Sequence, residues 1–150
     1  MAIAQTAGPR TPGTAALDAA LGTLDWTDVA NVALGLDATA TLSAVLGPTK
    51  YAKATNFGFT LPGSATVVGL TVEWYRSVAV GVVKDNAARI VKAGTVGASD
   101  KSSVADWPAL AAWQSYGGAS DMWGETWTVA QINGSDFGAA LSTQYVSGLT

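Results

Sequence analysis

Apolar and polar residues alternate with a period of two along the middle of the chain. Within Val67–Val80, one side of an extended backbone carries Val68, Leu70, Val72 and Trp74. The other side carries small or polar residues. This alternation predicts a half-buried β-strand, and the β-branched residues of the run favour the same structure. We therefore expect the four apolar side chains to face a hydrophobic core.

Related signals predict further strands before and after this run. Each is a short stretch with alternating or β-branched residues, bounded by glycine, proline or polar residues. The predicted strands are Thr39–Leu46, Tyr51–Phe59, Val83–Val96, Met122–Thr128 and Phe137–Tyr145. Val83–Val96 also has a weaker helical spacing, but glycines bracket a piece of strand length.

Short connections separate these strands. A polar loop is expected at 97–106, and one helical turn at Val129–Asn133 after Thr128. The alternation in Tyr51–Phe59 predicts one face that carries Tyr51, Lys53, Thr55, Phe57 and Phe59. Several short strands without a long amphipathic helix are typical of an all-β protein. The sequence thus predicts a β-sandwich of jelly-roll type.

The first 25 residues differ from the rest of the chain. Gly8, Pro9, Pro12 and Gly13 interrupt any regular pattern, and Thr14 is placed to cap a short helix that ends near Leu21. The segment is either a frayed terminus or an arm that becomes ordered on a neighbouring subunit. A length of 150 residues suits one domain. We therefore divide the chain into an extended N-terminal arm, 1–25, and a β-sandwich domain, 26–150.

Composition restricts the classes of partner. Charged residues make up 13% of the chain, against about 25% in an ordinary soluble domain, which favours a surface covered by neighbouring subunits. The formal net charge of −3 gives no basic field for nucleic acid. No apolar run is long enough for a transmembrane helix, and no secretory signal is visible, so we expect no membrane contact.

Candidate chemistry is sparse. The chain has no cysteine and no histidine, which excludes Cys/His zinc sites, haem ligation by these residues and Ser-His-Asp catalysis. On a strand, Asp121 and Glu125 would lie about 13 Å apart, beyond the separation that glycoside hydrolysis uses. We therefore expect no enzymatic activity. We also expect no cofactor, with Ca²⁺ as a weak candidate because five aspartates could supply oxygen ligands: Asp85, Asp100, Asp106, Asp121 and Asp136.

Aromatic residues are concentrated near the C-terminal end. Four of the six tryptophans lie between positions 107 and 127. Such a cluster forms a satellite core under a long loop, a subunit contact, or a platform on which sugars stack. The candidate interaction residues are Trp107, Trp113, Tyr116, Trp123 and Trp127.

Eight short motifs, taken together, resemble a known group of proteins. They are Asn56–Phe59, Leu61–Ala65, Gly69–Glu73, Val83–Asn86, Trp107-Pro108, Tyr116–Gly118, Trp123–Thr128 and Ile132–Gly138. In this combination the chain resembles small β-sandwich proteins encoded in the structural gene regions of tailed bacteriophages. The resemblance covers residues 50–142. It implies a virion component and implies no enzymatic activity.

The resemblance also suggests how subunits meet. Members of the group usually carry a further strand after the one that corresponds to Phe137–Tyr145, whereas this chain stops at Thr150. Either this sheet is shorter, or a neighbouring subunit or its N-terminal arm fills the open edge by strand addition.

These observations lead to a hypothesis about function. We expect a structural component of a bacteriophage virion, either a capsid decoration protein or a collar or tail accessory protein. Its partners would be other virion proteins and further copies of itself, with a trimer as one candidate assembly. The alternative is a carbohydrate-binding or host-attachment module on the virion, with a glycan as its ligand.

Overall fold

The computed structural model describes residues 4–148. Strands account for 38% of it and helices for 9%, and the strands pair in antiparallel sheets, which confirms the all-β prediction. The strands are β1 (Thr14–Asp18), β2 (Gly47–Pro48), β3 (Tyr51–Thr55), β4 (Leu70–Arg76), β5 (Val82–Lys92), β6 (Thr95–Val96), β7 (Ala112–Gly118) and β8 (Gly138–Ser147). A 3-10 segment spans Val29–Asp37, and helix α1 spans Val129–Asn133.

The larger sheet has the strand order β1-β3-β8-β5-β6, and β2 pairs with the far end of β8. β8 lies at the centre because β3 and β5 pair with its two edges. Its first six residues are buried, which explains why they are small or uncharged. The open edge expected next to the C-terminal strand is therefore not found there.

The smaller sheet contains β4 and β7, paired from Leu70 opposite Gly118 to Arg76 opposite Ala112. Leu70, Val72 and Trp74 are partly buried and pack on the main core, while the residues between them are exposed. The predicted orientation is thus confirmed for these three residues, whereas Val68 precedes the strand and is 54% exposed.

One main core joins the two sheets. Ala88 and Ile90 of β5 and Leu141 of β8 contribute from the larger sheet, and Tyr116 of β7 from the smaller one. The connections supply the other large buried side chains of this core, which are Trp123, Trp127, Ile132 and Phe137. A second, smaller cluster lies elsewhere in the larger sheet and contains Tyr51, Ala87, Val91 and Ala140.

Helix α1 forms as the sequence predicts, and the predicted strand Val83–Val96 forms two strands instead of one. Helix α1 is a single turn, and Thr128 caps it by accepting a hydrogen bond from the backbone N–H of Gln131 at 3.2 Å. Val83–Val96 folds as a hairpin, in which β5 and β6 are joined through Ala93 and Gly94. Both of these turn residues have a positive φ, which closes the hairpin tightly.

Three predictions about the N-terminal half are wrong. The helix expected from Thr14 to Leu21 is instead strand β1, because Thr14–Asp18 pairs along its whole length with β3. Thr39–Leu46 forms no continuous strand, and within it only Thr41 pairs with another segment. The face predicted for Tyr51–Phe59 is interrupted at Asn56, whose φ of 60° ends the strand and turns the following phenylalanines into the main core.

Two predictions about the aromatic region are also wrong. Met122–Thr128 is a turn rather than a strand, since Trp123 and Gly124 both have a positive φ. Conversely, Ala112–Gly118 forms strand β7, although no strand is predicted there. Pairing with β4 fixes this segment as a strand despite its two glycines.

Candidate interaction surface

The structure separates the five aromatic candidates by exposure. Tyr116, Trp123 and Trp127 are buried, with 3%, 1% and 8% of their surface exposed, and Trp107 is partly buried. Trp113 is 55% exposed. The five side chains therefore do not form one surface, and only Trp113 is presented to a partner in this conformation.

Specific contacts hold Trp123 and Trp127 inside the core. The indole N–H of Trp123 donates to the carbonyl oxygen of Leu70 at 2.9 Å, and that of Trp127 to the carbonyl oxygen of Met122 at 3.1 Å. Phe137 packs edge-on against Trp127 with ring centroids 5.4 Å apart. Because both indole N–H groups are satisfied internally, these residues stabilise the long connection between β7 and α1.

Trp107 and Tyr116 converge on the buried carboxylate of Asp85. Asp85 accepts hydrogen bonds from the Trp107 indole and the Tyr116 hydroxyl, both at 2.8 Å, and from the backbone N–H of Ser103 at 2.9 Å. Arg76 completes the site with an ion pair at 3.3 Å. The pKa of Tyr116 is raised, first by burial and then by the negative charge of Asp85. The site links β4, β5, β7 and the polar loop, so its evident role is structural.

The carboxylates considered for catalysis are each paired with a different lysine. Asp121 lies 2.8 Å from Lys101, and Glu125 lies 3.1 Å from Lys92. The hydrogen bond from Lys101 is the main reason why the pKa of Asp121 is lowered. The strand spacing of about 13 Å does not apply, because this segment is a turn.

The aspartates considered for Ca²⁺ do not converge. Asp85 has the contacts described above, Asp100 accepts the backbone N–H groups of Ala88 and Ser102, and Asp106 pairs with Lys84. Across residues 4–148, no three acidic side chains form a group able to hold a metal ion.

Sequence reasoning missed Tyr75, which forms an exposed pair with Trp113. The two residues lie opposite each other on β4 and β7, with ring centroids 5.1 Å apart and 44% and 55% exposure. Beside them, Ser115 donates a hydrogen bond to Glu73 at 3.0 Å. The alternation of β4 already placed Tyr75 on the outer face, but the pair is visible only once Trp113 is assigned to a strand.

A groove with a volume of about 1380 Å³ lies beside strand β4. Small residues of the larger sheet, among them Ala52, Ala54 and Ala139, line it. Every residue from 65 to 80 borders it, so β4 presents an edge to the groove and not only one face. Residues 38–42, together with Trp26, Val32 and Leu36, also line the groove.

The backbone of β4 is unpaired along this edge. Leu70 uses its N–H and its carbonyl oxygen on the β7 side, where they bond Asp121 and Trp123. Backbone groups alternate in direction along a strand, so Thr71, Glu73 and Tyr75 direct theirs to the opposite edge. Within residues 4–148 β4 pairs only with β7. Three N–H and three C=O groups are therefore open to strand addition.

Residues 38–42 also have a free backbone edge. Thr41 exchanges two backbone hydrogen bonds with Thr27, at 2.8 and 2.9 Å. If the segment is extended there, the neighbouring Ala40 and Leu42 direct their backbone groups away from Thr27. Both residues line the groove.

Exposed aliphatic side chains mark the borders of the groove. Leu36 is 61% exposed on one side, and Val68 and Val80 are 54% and 61% exposed at the two ends of the β4 run. Among residues 4–148, the charged residues that line the groove are Arg10, Glu73 and Arg76. Arg76 is already paired with Asp85. A nearly uncharged groove with an open strand edge is suited to an apolar, extended partner.

Comparison with known proteins adds no relative, since no family model, curated protein or solved structure matches this chain. Among residues 4–148, no helix has the length and apolar character needed to cross a membrane.

Proposed function

We propose that this protein is a structural component of a bacteriophage virion, in capsid decoration or in the collar or tail, and that it acts by protein–protein contact. The observation that carries the proposal is the nearly uncharged groove with the unpaired edge of β4 along one side. A solitary protein gains nothing from such an edge, which invites aggregation. A subunit whose neighbour covers the edge gains backbone hydrogen bonds and apolar burial.

The low charge of the chain supports the same proposal. Only 13% of residues are charged, and several large aliphatic side chains are more than half exposed. The motif resemblance supports the virion as the location. With it we propose the finer fold, a β-sandwich of jelly-roll type with an extended N-terminal arm.

Quantitative mass spectrometry of gradient-purified particles tests this proposal. The particles should come from the phage that carries this gene, and copy number should be calibrated against a major capsid protein. We expect a fixed number of copies per particle, in the hundreds for decoration and a handful for a collar or tail position. A chain that is abundant in the infected cell and missing from the particles would contradict the proposal.

The pair of Tyr75 and Trp113 favours a second candidate function, the binding of a glycan. Two exposed aromatic rings beside the carboxylate of Glu73 and the hydroxyl of Ser115 combine a stacking surface with hydrogen-bonding groups. A glycan array with the purified protein tests this function. A specific signal should be lost in Trp113→Ala and kept in Leu110→Ala, which removes a side chain that is 85% exposed elsewhere. A blank array would remove this candidate.

A further inference from the structure

The groove is bordered by the open edge of strand β4 and by the backbone of a second segment around Thr41. β4 offers the backbone groups of Thr71, Glu73 and Tyr75, and the segment Thr39–Leu46 offers those of Ala40 and Leu42. Within one chain these edges are not paired with each other. Each edge therefore lacks a neighbouring strand in the single chain, although the other edge borders the same groove.

The two segments match each other in length and character. β4 has seven residues and Thr39–Leu46 has eight, which correspond to about 23 and 26 Å of extended chain. Thr39–Leu46 is uncharged and alternates between apolar and polar residues as a strand does. Val45 and Leu46 at its end are nonetheless 47% and 57% exposed. Its sequence is thus that of a strand that lacks a partner in the single chain.

A two-fold axis between two copies would let both edges pair at once. In a two-fold symmetric dimer, every contact between two different elements occurs twice. If one element of the first copy contacts a second element of the other copy, the same two elements also meet with the copies exchanged. Since β4 and residues 39–42 border the same groove, two molecules facing each other can place each β4 next to the other molecule's Thr39–Leu46. The two-stranded sheet of each molecule would then gain a third strand, which is the number at which a small sheet becomes stable.

We propose that two copies of this chain form a reciprocal dimer in which Thr39–Leu46 of each copy pairs with the open edge of β4 in the other. This inference rests on the proposed function, because it identifies the neighbour that covers the groove. The low charge along the groove favours such a self-association, since no like charges need to be brought together except at Glu73.

Proline substitutions on the two edges of the smaller sheet provide a matched test. Glu73→Pro removes an N–H from the edge that borders the groove, and Ser115→Pro removes one from the outer edge of β7. Both variants lose the hydrogen bond between Glu73 and Ser115. Light scattering with size exclusion should give twice the chain mass of 15.2 kDa for the wild type and for Ser115→Pro, and the single mass for Glu73→Pro. Equal masses in the two proline variants would overturn the proposal.

Cross-linking identifies the contact without relying on proline. The chain contains no cysteine, so single cysteines can be introduced cleanly. A mixture of Leu42→Cys and Thr71→Cys, which places one thiol on each of the two edges, should give a cross-linked dimer on treatment with a short bis-maleimide. Each variant alone should stay monomeric on a denaturing gel, because the two-fold axis keeps like positions apart.

Three outcomes would contradict the reciprocal dimer. They are a monomer at all concentrations, a ring of three or more copies, and a Leu42→Cys/Thr71→Cys double variant that cross-links only within one chain. None of them bears on the presence of the protein in virions, which particle mass spectrometry decides independently. Absence from virions would likewise leave the solution dimer intact.

Discussion

At the scale of single residues, the aromatic side chains divide into core and surface by their hydrogen bonds. Trp123 is 1% exposed and has a φ of 56°, a conformation that a bulky residue adopts only when its surroundings require it. Its indole bonds the carbonyl of Leu70, so the turn at Trp123 and the start of β4 depend on each other. Trp113 has no such constraint.

This division predicts that the same substitution, tryptophan to phenylalanine, changes the free energy of unfolding by very different amounts at the two positions. Trp123→Phe should lower the free energy of unfolding by about 2–3 kcal/mol, because it removes a buried hydrogen bond and leaves a cavity. Trp113→Phe should change it by less than about 0.5 kcal/mol. Urea unfolding followed by far-ultraviolet circular dichroism measures both. Similar losses in the two variants would mean that the core is not arranged as described.

The ion pair between Asp18 and Lys53, which joins β1 to β3, predicts a dependence on pH. The lysine Nζ lies 2.8 Å from the carboxylate, and this hydrogen bond lowers the pKa of Asp18 below its ordinary value of 3.8. A carboxyl with a lowered pKa stabilises the folded state above the pKa of the unfolded chain. That stabilisation is lost as the pH falls through the folded pKa.

Asp18→Asn should therefore be less stable than the wild type at pH 7, by less than about 1 kcal/mol because the pair is near the surface. The difference should shrink as the pH falls below about 3.8. Lys53→Gln should show the same profile in urea titrations at each pH. A difference that stays constant down to the lowest pH would rule out the ion pair as its cause.

At the scale of elements, the central strand β8 depends on a close approach of two backbones. A Cβ at Gly138 would collide with the backbone carbonyl oxygen of Ala54 in β3. Gly138→Ala should thus destabilise the protein by about 2 kcal/mol, because the strands must separate. Gly118→Ala in β7 is the control, since a Cβ there meets no atom within 4 Å. Equal thermal midpoints for the two variants would contradict this packing.

The sequence predicted those elements whose pattern depends on local chemistry. The alternation of β4 and the helical turn at Val129–Asn133 are examples, since burial on one face and a single turn are both encoded within a few residues. Strand β7 was missed because its assignment comes from pairing with β4 rather than from its own residues. Thr39–Leu46 shows the opposite case, because it has the sequence pattern of a strand but pairs with a neighbouring segment only at Thr41.

The candidate site was predicted only in part for the same reason. The tryptophan cluster was recognised, but its division into buried and exposed members depends on contacts that are distant in the chain. Asp85, for example, receives hydrogen bonds from Trp107 and Tyr116, which are 22 and 31 residues away. The alanines of β3 line the groove, and the sequence alone does not show which residues lie next to them in the fold.

At the scale of the whole molecule, the two sheets are unequal. A sheet of six strands faces one of two, and the space left over is the groove of about 1380 Å³. In the proposed dimer, a neighbouring molecule completes the smaller sheet. This would explain why exposed aliphatic residues border the groove and why so little charge is found along it.

Residue-resolved amide hydrogen exchange is the most direct test of that account. In the dissociated protein, the N–H groups of Thr71, Glu73 and Tyr75 should exchange quickly, while those of Val72 and Trp74 are protected by their bonds to β7. In the associated protein, all five should exchange slowly. Alternating exchange along β4 that disappears on association is the predicted result. Protection of all five in the isolated chain, or an alternation that association leaves unchanged, would contradict the account.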